Sequence, residues 1–335
     1  MHRRRVLTAL ALTATLALAP GAAQADVNWN RIDLPAERTA IETFQFFDQR
    51  LQDVGWQLAR GNADYCDNAI PSIGLQLQDM ASYGSPEVAR RALGLKRDFA
   101  VQTAARGSPA AATGAFAANR EVIRLGSFDP NEWPASPRLN WQRLKLAHDH
   151  VDELLESEGS VTVGFAGGET VEVAPVTVCA TRFELAGRGD DAVATGDRVV
   201  IGIKFPGFAY EEQVFAGVVA HELAHNLLGH KAWLDRHGRS RSNTRRTERE
   251  ADRLMPWLLA NAGYDPVAAE EFLETYKPTS GSVLFIPGTH QKWRDRAEAV
   301  AGEVPQIRAL TEAHGSADWR THFRREIDPQ QSLDD

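Results

Sequence analysis

"HELAHNLLGH" (His221–His230) places three histidines and one glutamate within ten residues. On an α-helix each residue turns about 100°. His221 and His225 are four apart, so their imidazoles lie on one face, one turn apart, and can converge on a single metal ion. Glu222 sits beside that face, close enough to reach a water held by the ion without ligating it. His230 falls roughly 140° from His225 on a continuous helix. It is therefore read as a polar residue near the helix C-terminus, where the dipole favours it. Val214, Phe215, Val218 and Val219 precede the motif, as a buried helix requires.

A catalytic zinc uses three protein ligands, so a third must come from elsewhere. The next helical stretch, "RRTEREADRLMPWLLANAG" (Arg245–Gly263), contains "EREAD". Glu248 and Asp252 are four apart and share a face. One carboxylate can ligate while the other hydrogen-bonds a ligand imidazole from behind. Glu248 is assigned to the metal and Asp252 to the supporting place. Glu250, the competing ligand, points roughly 160° away from both. Pro256 is expected to kink or restart this helix.

These residues resemble the zinc metallopeptidases of the HtpX and BepA type, relatives of the CAAX prenyl endopeptidase. The family pattern HExxH…ExxxD falls on His221, Glu222, His225, Glu248 and Asp252, and "NAGYDP" follows. The family also carries a Ser/Thr-His-Pro stretch with an arginine six residues after the His. "THQKWRDR" puts His290 and Arg296 there, with Gln291 in place of the proline. The resemblance covers residues 198–300 most closely. It implies an α+β fold: a mainly helical zincin-type (gluzincin) peptidase domain with a small sheet, one Zn2+ per chain and polypeptide substrates. Glu222 would be the general base, with His290 or Arg296 holding the developing oxyanion. A substrate would lie as an added strand on a sheet edge, which "RVVIGIKF" (Arg198–Phe205) is expected to supply.

The rest of the chain is read around that helix. Arg3, Arg4 and Arg5, the apolar run "VLTALALTATLALA" (Val6–Ala19) and "AQA" (Ala23–Ala25) make a secretory signal, with cleavage expected before Asp26. The apolar run is short for a bilayer span. Cleavage removes three arginines and no acid, taking the net charge from −8 to −11. That acidity argues against nucleic-acid binding. In a periplasmic or secreted protein the two cysteines, Cys66 and Cys179, are expected to pair. Ile41, Phe44, Phe47, Leu51, Val54 and Leu58 recur at three and four residues, a helix that Gly61 ends.

"WQRLKLAHDHVDELLE" (Trp141–Glu156) is an amphipathic helix and "SVTVGFAGGETVEVAPV" (Ser160–Val176) a hairpin. His148 and His150 are read as surface residues. "ARGSPAAATG" (Ala105–Gly114) resembles a bacterial PDZ stretch, although "ANREVI" stands where a Gly-Asp is usual. The likeness implies peptide binding; a β-rich module that only packs is the alternative. "IPSIGLQLQDMA" (Ile70–Ala81) is left untyped. The expected organisation is a signal peptide (1–25), an N-terminal helical segment (26–92), a PDZ-like module (93–178), a metallopeptidase domain (179–310) and a tail (311–335). The run Lys231–Arg249 carries seven basic residues against two acids. It reads as a solvated loop, or as contact with anionic lipid or an acidic substrate; for the protein as a whole, peripheral contact with the membrane or an envelope protein is the further partner expectation. The functional expectation is an exported zinc endopeptidase. An envelope chaperone or adaptor using the same fold for binding is the alternative, and a zinc hydrolase of small molecules is a third.

Overall fold

A computed structural model describes residues 27–135, 139–275 and 290–327; over 290–293 it describes the backbone alone. The expected signal peptide lies outside the described residues. The chain divides into two units. The first, ending at Ile32, contains a single 3-10 turn, Trp29–Arg31, among its described residues. The second begins at Asp33 and is α+β.

Helix α1 (Leu34–Gly61) starts on Asp33, whose carboxylate accepts the Ala36 N–H at 3.1 Å. Its two faces serve different neighbours. Leu51, Val54 and Leu58 enter a large apolar core, whereas Gln45, Asp48 and Gln52 are buried among polar side chains. A Cβ at Gly55 would meet the Phe183 ring at 2.4 Å, so only glycine lets this helix lie so close to the strand that carries Phe183.

The segment left untyped forms β1 (Ala69–Ser72) and β2 (Leu75–Asp79). Helix α2 (Pro86–Leu93) follows, then β3 (Phe99–Ala104), which pairs antiparallel with β2. After the short α3 (Pro109–Ala112), β4 (Val122–Leu125), β5 (Val161–Phe165) and β6 (Thr170–Val173) form an antiparallel sheet. Helix α4 (Gln142–Glu158) lies between β4 and β5 in sequence. Ala147, Val151 and Leu155 on α4 share a core with Ile73, Leu77, Phe99, Val122, Val163 and Phe165. That core draws residues from ahead of position 93. His148 is half-buried rather than on the surface, and its Nε2 accepts the Leu77 N–H at 3.4 Å.

Strand β7 (Val176–Cys179) returns to pair with β1. Cys66 and Cys179 form the expected disulfide, Cα–Cα 5.5 Å, joining the exit of α1 to the end of β7. Next come β8 (Arg182–Ala186), β9 (Ala192–Ala194) and β10 (Arg198–Gly202). β10 is the central strand, parallel to β8 and antiparallel to β9. The edge expected at "RVVIGIKF" is therefore corrected: β8 and β9 are the edges. A short apolar run such as Val199, Val200 and Ile201 does not by itself separate edge from centre, because the neighbouring strands decide which it is.

Helix α5 (Glu212–Leu227) carries the HELAH residues. It stops where Gly229 adopts φ +68°, a left-handed conformation that glycine tolerates. Helix α6 (His230–His237) restarts at once, so the long helix expected through His230 is two. Helix α7 (Arg241–Asn261) begins on Ser240, whose hydroxyl accepts the Asn243 N–H at 3.1 Å. It runs as one helix through Pro256, where a kink or a restart was expected; Leu254, Met255, Trp257 and Leu258 around the proline are fully buried. Each such side chain contributes roughly 1.5–3 kcal/mol of burial, enough together to offset the cost of a mid-helix proline, about 3 kcal/mol. Helices α8 (Ala268–Thr275), α9 (His290–His314) and α10 (Trp319–His322) complete the described elements. No described helix is long and apolar enough to cross a membrane.

Candidate metal centre

The packing of α5 on α7 builds the site. Ala224 and Ala251 are fully buried, and such small side chains let two helix backbones approach closely. His221, His225 and Glu248 meet there, with ligand atoms all within 4.8 Å of one another. His221 Nε2 lies 3.2 Å from His225 Nε2 and 3.4 Å from Glu248 Oε2, and His225 Nε2 lies 3.6 Å from Glu248 Oε1. Ligands bound tetrahedrally at about 2.0–2.1 Å would stand roughly 3.3–3.4 Å apart. The three pairwise distances lie close to that spacing, with Glu248 turning one oxygen toward each imidazole. Glu248 Oε2 is buried with no hydrogen-bond partner, which fits an oxygen meant for a cation.

The charges agree. Against the desolvation of full burial, Asp252 and Glu248 hold the His221 imidazole up to about 10. A positive charge is favoured at this point, and a metal would replace that proton. His225 goes the other way: burial, then the neighbouring His230 and His221, push it well below its ordinary value. It stays a neutral imidazole, the form that ligates.

Glu222 lies one position along α5, 3 % exposed. Burial pushes its carboxyl up to about 8, against the pull of His221 and aided by Glu248; the Ala194 backbone N–H of β9 favours the charged form. Its Oε1 has no hydrogen-bond partner. Such a group is mostly protonated at neutrality, and a positive charge at the triad would lower it toward the working range of a proton acceptor.

Asp252 stands behind His221, with Oδ1 3.1 Å from Nδ1. Arg296 grips Asp252 with two hydrogen bonds, 2.5 Å from Nε and 2.7 Å from Nη2. Although burial disfavours its charge, Arg296 and His221 hold Asp252 at about 2. The structure thus engages Arg296 on Asp252, behind the imidazole of His221; the family resemblance offered His290 or Arg296 as the group that holds the oxyanion. The side chain of His290 lies outside the described residues.

His230 departs most from its reading as a polar helix end. It is 1 % exposed. Its Nδ1 is 2.9 Å from His225 Nδ1, and its Nε2 is 3.0 Å from Glu250 Oε2. Glu250, fully buried, also receives Arg325 Nη2 (3.0 Å) and the backbone N–H groups of Glu326 (2.5 Å) and Ile327 (2.8 Å). Burial raises its pKa, but His230, Arg325 and Ile327 outweigh that and hold it at about 2. Gly229 was the available signal. A glycine one residue before His230 marks a helix stop, and a left-handed turn there carries His230 back over His225. Nothing local marked Glu250 or Arg325.

A second polar cluster lines the other face of α1. A cavity of about 600 Å³ is bordered by Asp48, Gln52, Gln102, Trp141, His148 and Phe183, among others. Asp48 accepts Gln52 Nε2 at 3.0 Å and Gln102 Nε2 at 2.9 Å. Burial pushes Asp48 up to about 6, these two amides resisting and Glu184 adding to the rise. No family model, no curated protein sequence and no solved structure matches the chain.

Proposed function

We propose that this chain is an exported zinc metalloendopeptidase of the kind it resembles in sequence, the HtpX and BepA type. The observation that carries the reading is the meeting of the His221, His225 and Glu248 ligand atoms within 4.8 Å of one another, beside the unpartnered Oε1 of Glu222. Zinc, when bound there, activates water as a nucleophile and polarises a carbonyl. His221, His225 and Glu248 hold the ion. Asp252, anchored by Arg296, orients His221. Glu222 accepts the proton of the attacking water and returns it to the leaving amine, and its raised pKa suits both transfers.

The substrate is a polypeptide, laid as an added strand on the open side of β9. Among the described residues that strand pairs with β10 alone, and its Ala194 reaches Glu222. The disulfide supports an oxidising compartment such as the periplasm. The β-rich module around residues 93–178 serves as the PDZ-like part, presenting polypeptides or packing on the peptidase part. The test is zinc content together with cleavage of an unfolded polypeptide by the mature protein. One zinc per chain with hydrolysis that Glu222→Gln removes supports the proposal. Binding without hydrolysis in both forms would favour the chaperone or adaptor, and absence of zinc would overturn the proposal.

A further inference from the structure

His225 makes contacts that ligation does not require. Its Nε2 belongs to the metal triad, while its Nδ1 lies 2.9 Å from a second buried imidazole, His230. The chain of partners beyond has one direction. Glu250 is an acceptor that already receives Arg325 and two backbone N–H groups, so it can only accept from His230 Nε2. Facing a ligand imidazole that cannot give up its Nε2 lone pair, His230 is neutral, and an imidazole that donates from Nε2 presents a lone pair at Nδ1. His230 Nδ1 must then accept from His225, which carries its proton on Nδ1 and leaves the Nε2 lone pair open.

We infer that His230, Glu250 and Arg325 are positioning residues that lock His225 in the Nδ1–H tautomer, turning its Nε2 lone pair to the metal. This rests on the reading of His225 as a ligand. The C-terminal segment is then part of the metal centre, although Arg325 stands 100 positions from His225 in the chain. Ile327 seats that segment against Trp233 and Leu234 of α6. Arg246 and Arg249 of α7 hold Glu326 through its carbonyl and carboxylate. The segment has no contact with the ligands except through Glu250 and His230 among the bonds described above.

Glu250→Gln should reverse the chain of bonds. Three donors converge on Oε1, from Arg325 Nε and the Glu326 and Ile327 N–H groups. The glutamine oxygen takes that place; the amide NH2 then faces His230 and also Arg325 Nη2, which Oε2 accepts in the wild type at 3.0 Å and which has to turn aside. His230 Nε2 then accepts, its Nδ1 donates, and His225 is pushed to the Nε2–H form with its ligating atom blocked. Glu250→Asp keeps an acceptor and should keep the tautomer.

The experiment uses the mature protein with ¹⁵N-labelled histidine, metal-free, and Zn2+ affinity by competition with a chelator. Expected are an Nδ1–H tautomer at His225 in the wild type, its shift to Nε2–H in Glu250→Gln, and zinc binding about 10–100-fold weaker in that variant, with Glu250→Asp near wild type. A wild-type His225 protonated on Nε2 overturns the inference even if no variant folds. So does equal zinc affinity in wild type and Glu250→Gln. Absence of zinc binding in the wild type instead overturns the metallopeptidase reading, and the inference with it.

Discussion

Asp252 lies behind the imidazole of His221 and Glu250 behind that of His230, and Asp48 lies among the amides beside the 600 Å³ cavity; all three carboxylates are buried. Yet Asp252 and Glu250 are held at about 2, whereas Asp48 is raised to about 6. Desolvation is the largest influence on each and acts in the same direction. The difference is the second charge: Arg296 grips Asp252 and Arg325 grips Glu250, while Asp48 has two amides. Amide dipoles soften the cost of a buried anion but do not cancel it. Glu222 joins Asp48 on this side, also buried with no arginine on it among the described contacts, and raised to about 8. The ionised acids orient imidazoles. The raised acids are poised to take a proton.

That division can be broken in several places. The largest effect is expected from removing a ligand. His221→Ala or His225→Ala should abolish zinc binding outright, measured as metal per chain after dialysis. Retention of one equivalent by both variants would move the metal elsewhere.

Glu222→Gln should follow, with a fall of about 10²–10⁴-fold in hydrolysis at unchanged zinc content. The amide keeps the shape and cannot accept the proton. Wild-type turnover by this variant would remove Glu222 from the proton-accepting group.

Asp48 tests the other half through stability. Its folded pKa of about 6 exceeds the ordinary 3.8. The folded state therefore binds more protons between these values, and stability falls as pH rises from 3.8 to 6. The full penalty, about 3 kcal/mol, is present at pH 7. Asp48→Asn should remove that slope, so the variant gains on the wild type by this amount between pH 4 and pH 7 in urea unfolding. A difference that stays flat with pH would mean the amides neutralise Asp48 after all.

The smallest effect is expected at the ionised support. Asp252→Asn should weaken zinc binding about 10–100-fold without abolishing it, as read by chelator competition. Arg296→Ala should do the same through Asp252. If Arg296→Ala lowers turnover at unchanged zinc affinity, Arg296 acts on the substrate instead, as the family resemblance implies.

Several of these features were legible in the residues. Four-residue spacing puts His221 with His225, and Glu248 with Asp252, on single helix faces, and such pairs meet in the structure. The periodicity of α1 and the hairpin of β5 and β6 were equally plain, as was the pairing of the two cysteines. Each follows from the fixed rotation of a helix, the alternation of a strand, or the lack of any other cysteine. The tertiary structure alone decided the rest. It made β10 a central strand and β9 an edge, since edge and centre differ only in neighbours. It joined β1 to β7 and β2 to β3 from a stretch with no clear period. It turned the chain at Gly229 so that His230 reached His225. And it brought Arg325 onto Glu250, 75 positions away, where a buried carboxylate demanded a cation. Local spacing is written by covalent geometry into the sequence itself. Which distant charge answers a buried one is settled only when the core has closed around both.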